Sequence, residues 1–175
     1  AASAEVAVVR LFPGALTTLG LASEGWLGGD DLTEHVVAFL LRRIEAEWGV
    51  SLAEHPRARA QIRQAAERAR VALSIVEEAT ISLSAPDLRV AVQVREVLTR
   101  SQLEEMVQHR MEEIWAVVGR TLVQAGLSPE GIDGLLLVGG TSQMPLLSAM
   151  LMARLSRARL LADLNPWLGP ALGAA

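Results

Sequence analysis

The sequence predicts an α/β or α+β fold, and three observations support this. Residues 4–22 are rich in β-branched and apolar residues on both sides of Pro13-Gly14, a pattern that predicts a β-hairpin. Apolar residues spaced three and four apart predict amphipathic helices, most clearly over 32–48. The run Gly134–Val138 is wholly apolar and predicts a short strand. Hairpins, a buried strand and intervening helices together are typical of these two fold classes.

The elements after the first hairpin are two helices. The first is predicted to end at Gly49, and its apolar stripe comprises Leu32, Val36, Phe39, Leu40, Ile44 and Trp48. The second is predicted from Pro56 to about Ile75. It is filled with Ala and Arg, and we expect its arginines to form a solvated face: Arg57, Arg59, Arg63, Arg68 and Arg70.

A second hairpin and a long helix follow. The alternating runs 80–83 and 89–94 flank the turn signal 84–87 and predict a hairpin with one buried face. Thr99 and Gln102 have the spacing of a capping box, and the helix that they begin is predicted to reach Gly126.

The last third of the chain is predicted to hold the strand Gly134–Val138, buried on both faces, and a helix carrying Leu147, Met150, Leu151 and Leu155. Leu160-Leu161 is predicted as a short strand, and Asn165-Pro166 begins a helical stub. Because a hairpin alone is rarely stable, we expect the first hairpin to share a sheet with this strand, with Val8 and Leu137 together.

Composition excludes several chemistries. The 175 residues are 51% hydrophobic and 21% charged, which is typical of a folded chain. Without Cys there is no thiolate nucleophile, and without Lys there is no Walker-type loop or Schiff base. The net charge of −4 argues against nucleic acid as a partner. No apolar run reaches the length of a membrane span and no signal segment is seen, so a cytoplasmic location without membrane contact is expected.

Two glycine pairs precede predicted helices. Gly139-Gly140-Thr141 could let an anion approach the backbone, although a glycine turn chosen only for a tight connection is equally compatible with the spacing. Gly28-Gly29-Asp30 could do the same, but taken alone it is better explained as a flexible joint with an Asp30 N-cap.

A polar trio on the second predicted helix is the third candidate. Glu67, Arg70 and Ser74 share one face and could hold a ribose and a purine edge. From the residues alone, a surface charge ladder of Arg63, Glu67 and Arg70 is the simpler interpretation. No histidines have metal-ligand spacing and no carboxylates form an acid/base dyad, so no catalytic or metal-binding residue is assigned.

Read together, these segments resemble the second lobe of the nucleotide-binding domain of DnaK-type seventy-kilodalton heat-shock chaperones. The resemblance covers nearly the whole chain, in family order. The matching segments are 27–32, 65–74, 98–100, 125–128, Ile132-Asp133, 136–140, Met144-Pro145, Asn165-Pro166 and 171–175.

The resemblance implies an actin-like ATPase (ribonuclease-H-like) lobe. Its base subdomain would be residues 1–28 plus 99–175, and 29–98 would be an inserted α+β outer subdomain. The intact protein would bind ATP or ADP with Mg²⁺. The residues implied to contact the adenosine and phosphates are Gly28, Gly29, Asp30, Glu67, Arg70, Ser74, Gly139, Gly140, Thr141 and Gln143.

The sequence also departs from the family pattern. Ala1-Ala2-Ser3 stands where the family's phosphate loop ends Gly-Gly-Thr, and Val71 and Gln143 stand where two arginines sandwich the adenine. Trp167 replaces the acidic residue that follows Asn-Pro. Each lost arginine contact removes roughly 0.5–2 kcal/mol, so weak nucleotide binding is expected.

The function implied is that of one lobe of a chaperone ATPase, acting in stress response and ATP-driven protein folding. It would work with a first lobe and a substrate-binding domain that this chain lacks, so no hydrolysis is expected from the chain alone. Nucleotide exchange factors would bind residues 29–98.

The alternative function is that of a degenerate scaffold or interaction module with little nucleotide binding, which is favoured by Val71, Gln143 and Trp167. A filament former or sugar kinase of the same fold is less compatible with 67–74 and 165–175 together.

Overall fold

The structure is a computed structural model that describes residues 3–25, 28–52, 54–85 and 92–161. Within these ranges the chain forms four α-helices and three two-stranded sheets, so the predicted mixed α/β class is confirmed. The chain divides into two compact units. We call residues 1–29 with 109–175 the terminal unit, and residues 30–108 the inserted unit.

The first hairpin belongs to the terminal unit. Strands β1 (Ser3–Phe12) and β2 (Ala15–Gly25) pair antiparallel, and their register shifts between Val8 and Val9. Gly14, in the turn, has a φ of +77°, a conformation that glycine adopts without steric cost. The predicted hairpin and its Pro13-Gly14 turn are therefore confirmed.

The β1–β2 hairpin packs against α3 (Arg100–Ala125) through a close backbone approach at Gly20. A Cβ placed on Gly20 would lie 2.6 Å from the carbonyl oxygen of Thr121. The backbone N–H of Leu21 donates to Oε1 of Gln124 at 3.1 Å, and Arg120 pairs with Glu24 at 2.8 Å. The hairpin is thus stabilised by a helix.

Helix α3 has the predicted ends. The backbone N–H of Thr99 donates to Oε1 of Gln102 at 3.0 Å, and the N–H of Gln102 donates to Oγ1 of Thr99 at 3.2 Å, which is the reciprocal capping box. Gly126 has a φ of +66°, and the N–H of Leu127 reaches the carbonyl of Leu122 at 3.0 Å, as in a Schellman motif. Neither α3 nor another described helix has the hydropathy needed to cross a membrane.

The predicted strand Gly134–Val138 differs from the structure. Strand β5 covers only Gly134–Leu135 and pairs in parallel with β6 (Arg159–Leu160). Leu136 and Val138 are 44% and 45% exposed, so the expectation of burial on both faces is wrong.

The expectation of one shared sheet is also wrong. The β1–β2 pair forms its own sheet, separate from β5–β6. The physical reason is that α3 provides the packing surface that the hairpin needs, so no additional strand is required beside it.

The inserted unit begins with α1 (Gly29–Trp48) and α2 (Pro56–Ala72). The predicted stripe of α1 is largely confirmed, since four of its six residues are fully buried: Leu32, Val36, Leu40 and Ile44. Phe39 and Trp48 are half-buried. Gly49, with a φ of +64°, follows the end of α1 as predicted.

The second hairpin completes this unit. Strands β3 (Glu78–Ala85) and β4 (Val92–Thr99) pair antiparallel, and burial alternates along them as predicted. Ala79, Ile81, Val94 and Leu98 face the core. The predicted turn 84–87 and strand 89–94 fall partly on residues 86–91, which lie outside the described ranges.

Candidate functional site

Arg70 lies in the last turn of α2 and is a buried cation, since only 7% of the residue is exposed. Its Nε donates a hydrogen bond to Oγ1 of Thr33 on α1, at 3.1 Å. A buried guanidinium is costly without such partners, so this contact is part of what keeps α1 and α2 together.

Two of the other predicted site residues act on Arg70 through their charge. Burial lowers the pKa of Arg70, whereas the carboxylates of Glu67 and Asp30 oppose that shift. Glu67 itself is exposed to solvent. The inserted unit therefore brings Asp30, Glu67 and Arg70 into one electrostatic cluster.

The surface charge ladder, which the residues alone favoured, is wrong. Arg63 pairs with Asp30 at 3.3 Å and with Glu34, both on α1, and Arg59 pairs with Glu34 at 3.5 Å. These two arginines of α2 therefore pair with carboxylates of the neighbouring helix α1. The expectation of a solvated arginine face is confirmed for Arg57, Arg59, Arg63 and Arg68, which are exposed, and is wrong for Arg70, which is buried.

The position of Asp30 differs slightly from its predicted role as an N-cap. Helix α1 begins at Gly29, so Asp30 and Asp31 lie in its first turn. Carboxylates at that position interact favourably with the positive end of the helix dipole. Gly28 is buried and immediately precedes the helix.

Ser74 lies beyond the helix on which it was predicted. Helix α2 ends at Ala72, and Ser74 is half-buried in the turn that follows. The backbone N–H of Ser74 donates to the carbonyl of Val71 at 3.2 Å, which closes this turn. The predicted shared helical face therefore holds for Glu67 and Arg70 but not for Ser74.

The second glycine pair forms a turn in the terminal unit. Gly139 has a φ of +90°, and residues Gly140–Gln143 form a 3-10 turn before α4 (Pro145–Arg154). The backbone N–H and the Oγ of Ser142 both donate to the carbonyl of Gly139, at 3.2 and 2.6 Å. The glycine pair therefore leads into a helix as predicted, with the 3-10 turn between them.

In the part of the chain that the structure describes, no atom lies within 4 Å of a Cβ placed on Gly139. The glycine is therefore required by its backbone conformation and not by close packing. Thr141 and Gln143 are half-buried. Among the described residues, no group of three or more His, Asp or Glu side chains is arranged to hold a metal.

The sequence patterns do not reveal two residues that lie near Arg70 and Ser74 in the inserted unit. Thr33 accepts from Arg70, and the guanidinium of Arg100 contacts the turn that contains Ser74. No periodicity distinguishes Thr33, because it lies beside the apolar stripe. The sequence distinguishes Arg100 only as part of the segment 98–100, which contributes to the family resemblance.

The fold and these residues define a mixed α/β protein with a charged candidate site in its inserted unit and a glycine turn in its terminal unit. The family model described as "Hsp70 protein" matches residues 1–175, and the chain belongs to the Hsp70 family. It is 31% identical over 157 residues to the chaperone protein DnaK of Mycoplasma mobile, covering 87% of this chain and 26% of that protein. The chain thus spans about a quarter of that relative's length.

Proposed function

We propose that this chain is the second lobe of the ATP-binding domain of an Hsp70-type chaperone, and that it supplies adenosine and phosphate contacts for ATP-driven protein folding by the intact protein. Membership of the Hsp70 family supports this. The observation that carries it is the placement of Arg70, which is buried and donates to Oγ1 of Thr33 at 3.1 Å, because packing of α1 on α2 fixes a residue that the resemblance assigns to the ligand. The family match does not favour the scaffold alternative.

The adenosine contacts are assigned to the inserted unit. Arg70 is held in place by Thr33, and the exposed carboxylate of Glu67 is an acceptor that suits ribose hydroxyls. The Ser74 hydroxyl, half-buried in the turn after α2, can donate and accept at a purine edge. A neutral sugar and base fit this set of donors and acceptors, and Asp30 pairs with Arg63 at 3.3 Å.

The phosphate contacts are assigned to the glycine residues. The lack of a side chain at Gly139 and Gly140 allows a phosphate to approach their backbone, with Thr141 and Gln143 as polar neighbours. Gly28 and Gly29, at the start of α1, are assigned the same role. Mg²⁺ would be held mainly through the phosphates and water, as is usual for this ion.

The proposal is tested by calorimetric titration of the full-length protein with ATP and with ADP in Mg²⁺. Glu67→Gln keeps the shape of the side chain but removes the charged acceptor, and affinity should fall about tenfold. Glu45→Gln, at an exposed position on α1, is the matched control and should bind like the parent. Absence of binding by the parent protein would reject the proposed function, whereas equal binding by Glu67→Gln would reject only the ribose contact.

A partner surface is proposed on residues 29–98, where a nucleotide exchange factor of the family would bind. Arg57 and Arg68 on α2 are exposed. They are therefore the arginines of α2 that we assign to this contact, whereas Arg59 and Arg63 are occupied by carboxylates of α1.

A further inference from the structure

The turn that follows α2 is held by an arginine from another element. Nε of Arg100 donates to the carbonyl oxygen of Leu73 at 2.7 Å, and Nη2 donates to the carbonyl oxygen of Val76 at 3.0 Å. Nη1 pairs with the carboxylate of Glu77. Three nitrogens of one guanidinium thus bind three residues of the turn 73–77, which contains Ser74.

This arrangement is a helix cap supplied from outside the helix. The last carbonyls of a helix have no partner within it, and Leu73 is the C-cap residue of α2. A cation at this end also interacts favourably with the negative end of the helix dipole. Because the planar guanidinium presents several donors in a fixed geometry, an ammonium cannot reproduce all three contacts.

The backbone places Arg100 opposite the turn. In the β3–β4 register, Glu78 is paired with Thr99, and the N–H of Arg100 donates to the carbonyl of Glu77 at 2.8 Å. The side chain of Arg100 is 19% exposed, and its hydrogen bond to Leu73 is partly buried, whereas its contacts with Val76 and Glu77 lie at the surface. The hairpin register and the start of α3 therefore place the backbone of Arg100 beside the turn that follows α2.

We propose that Arg100 is a positioning residue for nucleotide: by capping α2 and fixing the turn 73–77, it sets the position of the Ser74 hydroxyl and of the helical turn that carries Arg70. This inference rests on the proposed function. Arg100 itself does not contact the ligand. The turn also has internal hydrogen bonds, from the N–H groups of Ile75 and Val76 to the carbonyl of Ala72, both at 2.9 Å. To these Arg100 adds side-chain hydrogen bonds to the carbonyls of Leu73 and Val76.

The test compares Arg100→Met and Arg100→Lys with the parent in the full-length protein, using ADP and adenosine as probes in calorimetric titrations. Arg100→Met should weaken both ligands by a similar factor of about ten, because the affected contacts are to the nucleoside. Arg100→Lys should recover part of the loss. Arg43→Met is the matched control, since Arg43 pairs with Glu96 in the same unit but is 57% exposed, and it should leave affinity unchanged.

Amide hydrogen exchange separates positioning from general destabilisation. In Arg100→Met, amides of 74–76 should exchange faster while amides of α1 keep the parent's rates. Unchanged exchange at 74–76, or unchanged affinity in a parent that binds ADP, would overturn the inference. Weaker affinity together with faster exchange throughout the unit would also overturn it, since that is loss of fold. If the parent protein binds neither ADP nor adenosine, both the proposed function and the role of Arg100 in nucleotide binding are rejected. Faster exchange at 74–76 in Arg100→Met would in that case show only that Arg100 orders the turn.

Discussion

At the scale of single residues, the buried Arg70 is the most consequential feature of the inserted unit. Its position in α2 would suit a solvated side chain, but packing against α1 places it beside Thr33 with 7% exposure. Removing a polar partner from a buried charged group costs more than the hydrogen bond itself contributes, because the charge then stays desolvated.

Thr33→Val tests this contact. Valine has nearly the shape of threonine but cannot accept the hydrogen bond from Nε of Arg70, so the free energy of unfolding should fall by about 1–3 kcal/mol. Urea denaturation measures the change. Thr18→Val, the same substitution at an exposed position of β2, should alter stability by less than about 0.5 kcal/mol. A Thr33→Val protein as stable as this control would show that the contact does not stabilise the pair of helices.

At the scale of secondary-structure elements, the terminal unit depends on contacts that α3 makes with its neighbours. The β1–β2 hairpin approaches α3 at Gly20, and α4 is joined to α3 by a bidentate contact of Arg154 with Glu112. Arg154 also lies 5.1 Å from the ring centroid of Trp115, a cation–π distance.

Gly20→Ala tests the contact between hairpin and helix. The added methyl group would lie 2.6 Å from a backbone oxygen that cannot move without disturbing α3, so a loss of roughly 1–3 kcal/mol in unfolding free energy is expected. Gly25→Ala, at a position with nothing within 4 Å, is the control and should be nearly neutral. Thermal or urea denaturation distinguishes them, and equal stability of the two variants would contradict the close packing.

The Arg154–Glu112 pair should contribute stability that depends on pH. The hydrogen bond from Arg154 holds the pKa of Glu112 below its ordinary value. A carboxyl whose pKa is depressed by folding stabilises the protein above its unfolded pKa and ceases to do so as the pH falls through the folded value. Glu112→Gln should therefore lower the melting temperature at pH 7, and this difference from the parent should disappear as the pH falls through the lowered pKa of Glu112.

The exposed Glu105 on the same helix provides the control for this pair. Glu105→Gln should leave the difference in melting temperature between pH 7 and acid close to that of the parent. If Glu112→Gln and the parent lost the same number of degrees on acidification, the pair would not be a source of acid sensitivity.

At the scale of the whole molecule, the arginine pairing on α2 bears on partner binding. Exposed Arg57 and Arg68 are available to a partner, so Arg57→Glu with Arg68→Glu should slow exchange-factor-stimulated release of a fluorescent ADP analogue from the full-length protein at least threefold. Arg10→Glu, at an exposed position of β1 in the terminal unit, should release the analogue at the parental rate. If the exchange factor accelerates release of the analogue equally in the parent and in the Arg57→Glu, Arg68→Glu variant, its binding surface does not include these two arginines.

Much of the local structure could be predicted from the sequence, because its determinants are local. Pro13-Gly14 suits a tight turn, Thr99 and Gln102 satisfy one another at a helix start, and Gly126 ends a helix in a left-handed conformation. The alternation along β3 and β4 is equally local, since side chains point to opposite faces at every second residue. The family resemblance was confirmed over the full 175 residues, while the site residues and subdomain boundaries that it implies stay predictions.

Tertiary structure decided what depends on packing between distant segments. Leu136 and Val138 belong to an apolar run that is typical of a buried strand. They are nevertheless exposed, because β5 pairs only at Gly134–Leu135. Arg70 is of a residue type that usually lies at the surface, but packing against α1 buries it. Arg100 reaches the end of α2 because the β3–β4 register brings it there. Sequence patterns therefore determined the first hairpin turn and the two ends of α3. The end of α2, the length of β5, burial and the partners of the charged side chains were set by neighbouring elements, which local periodicity does not specify.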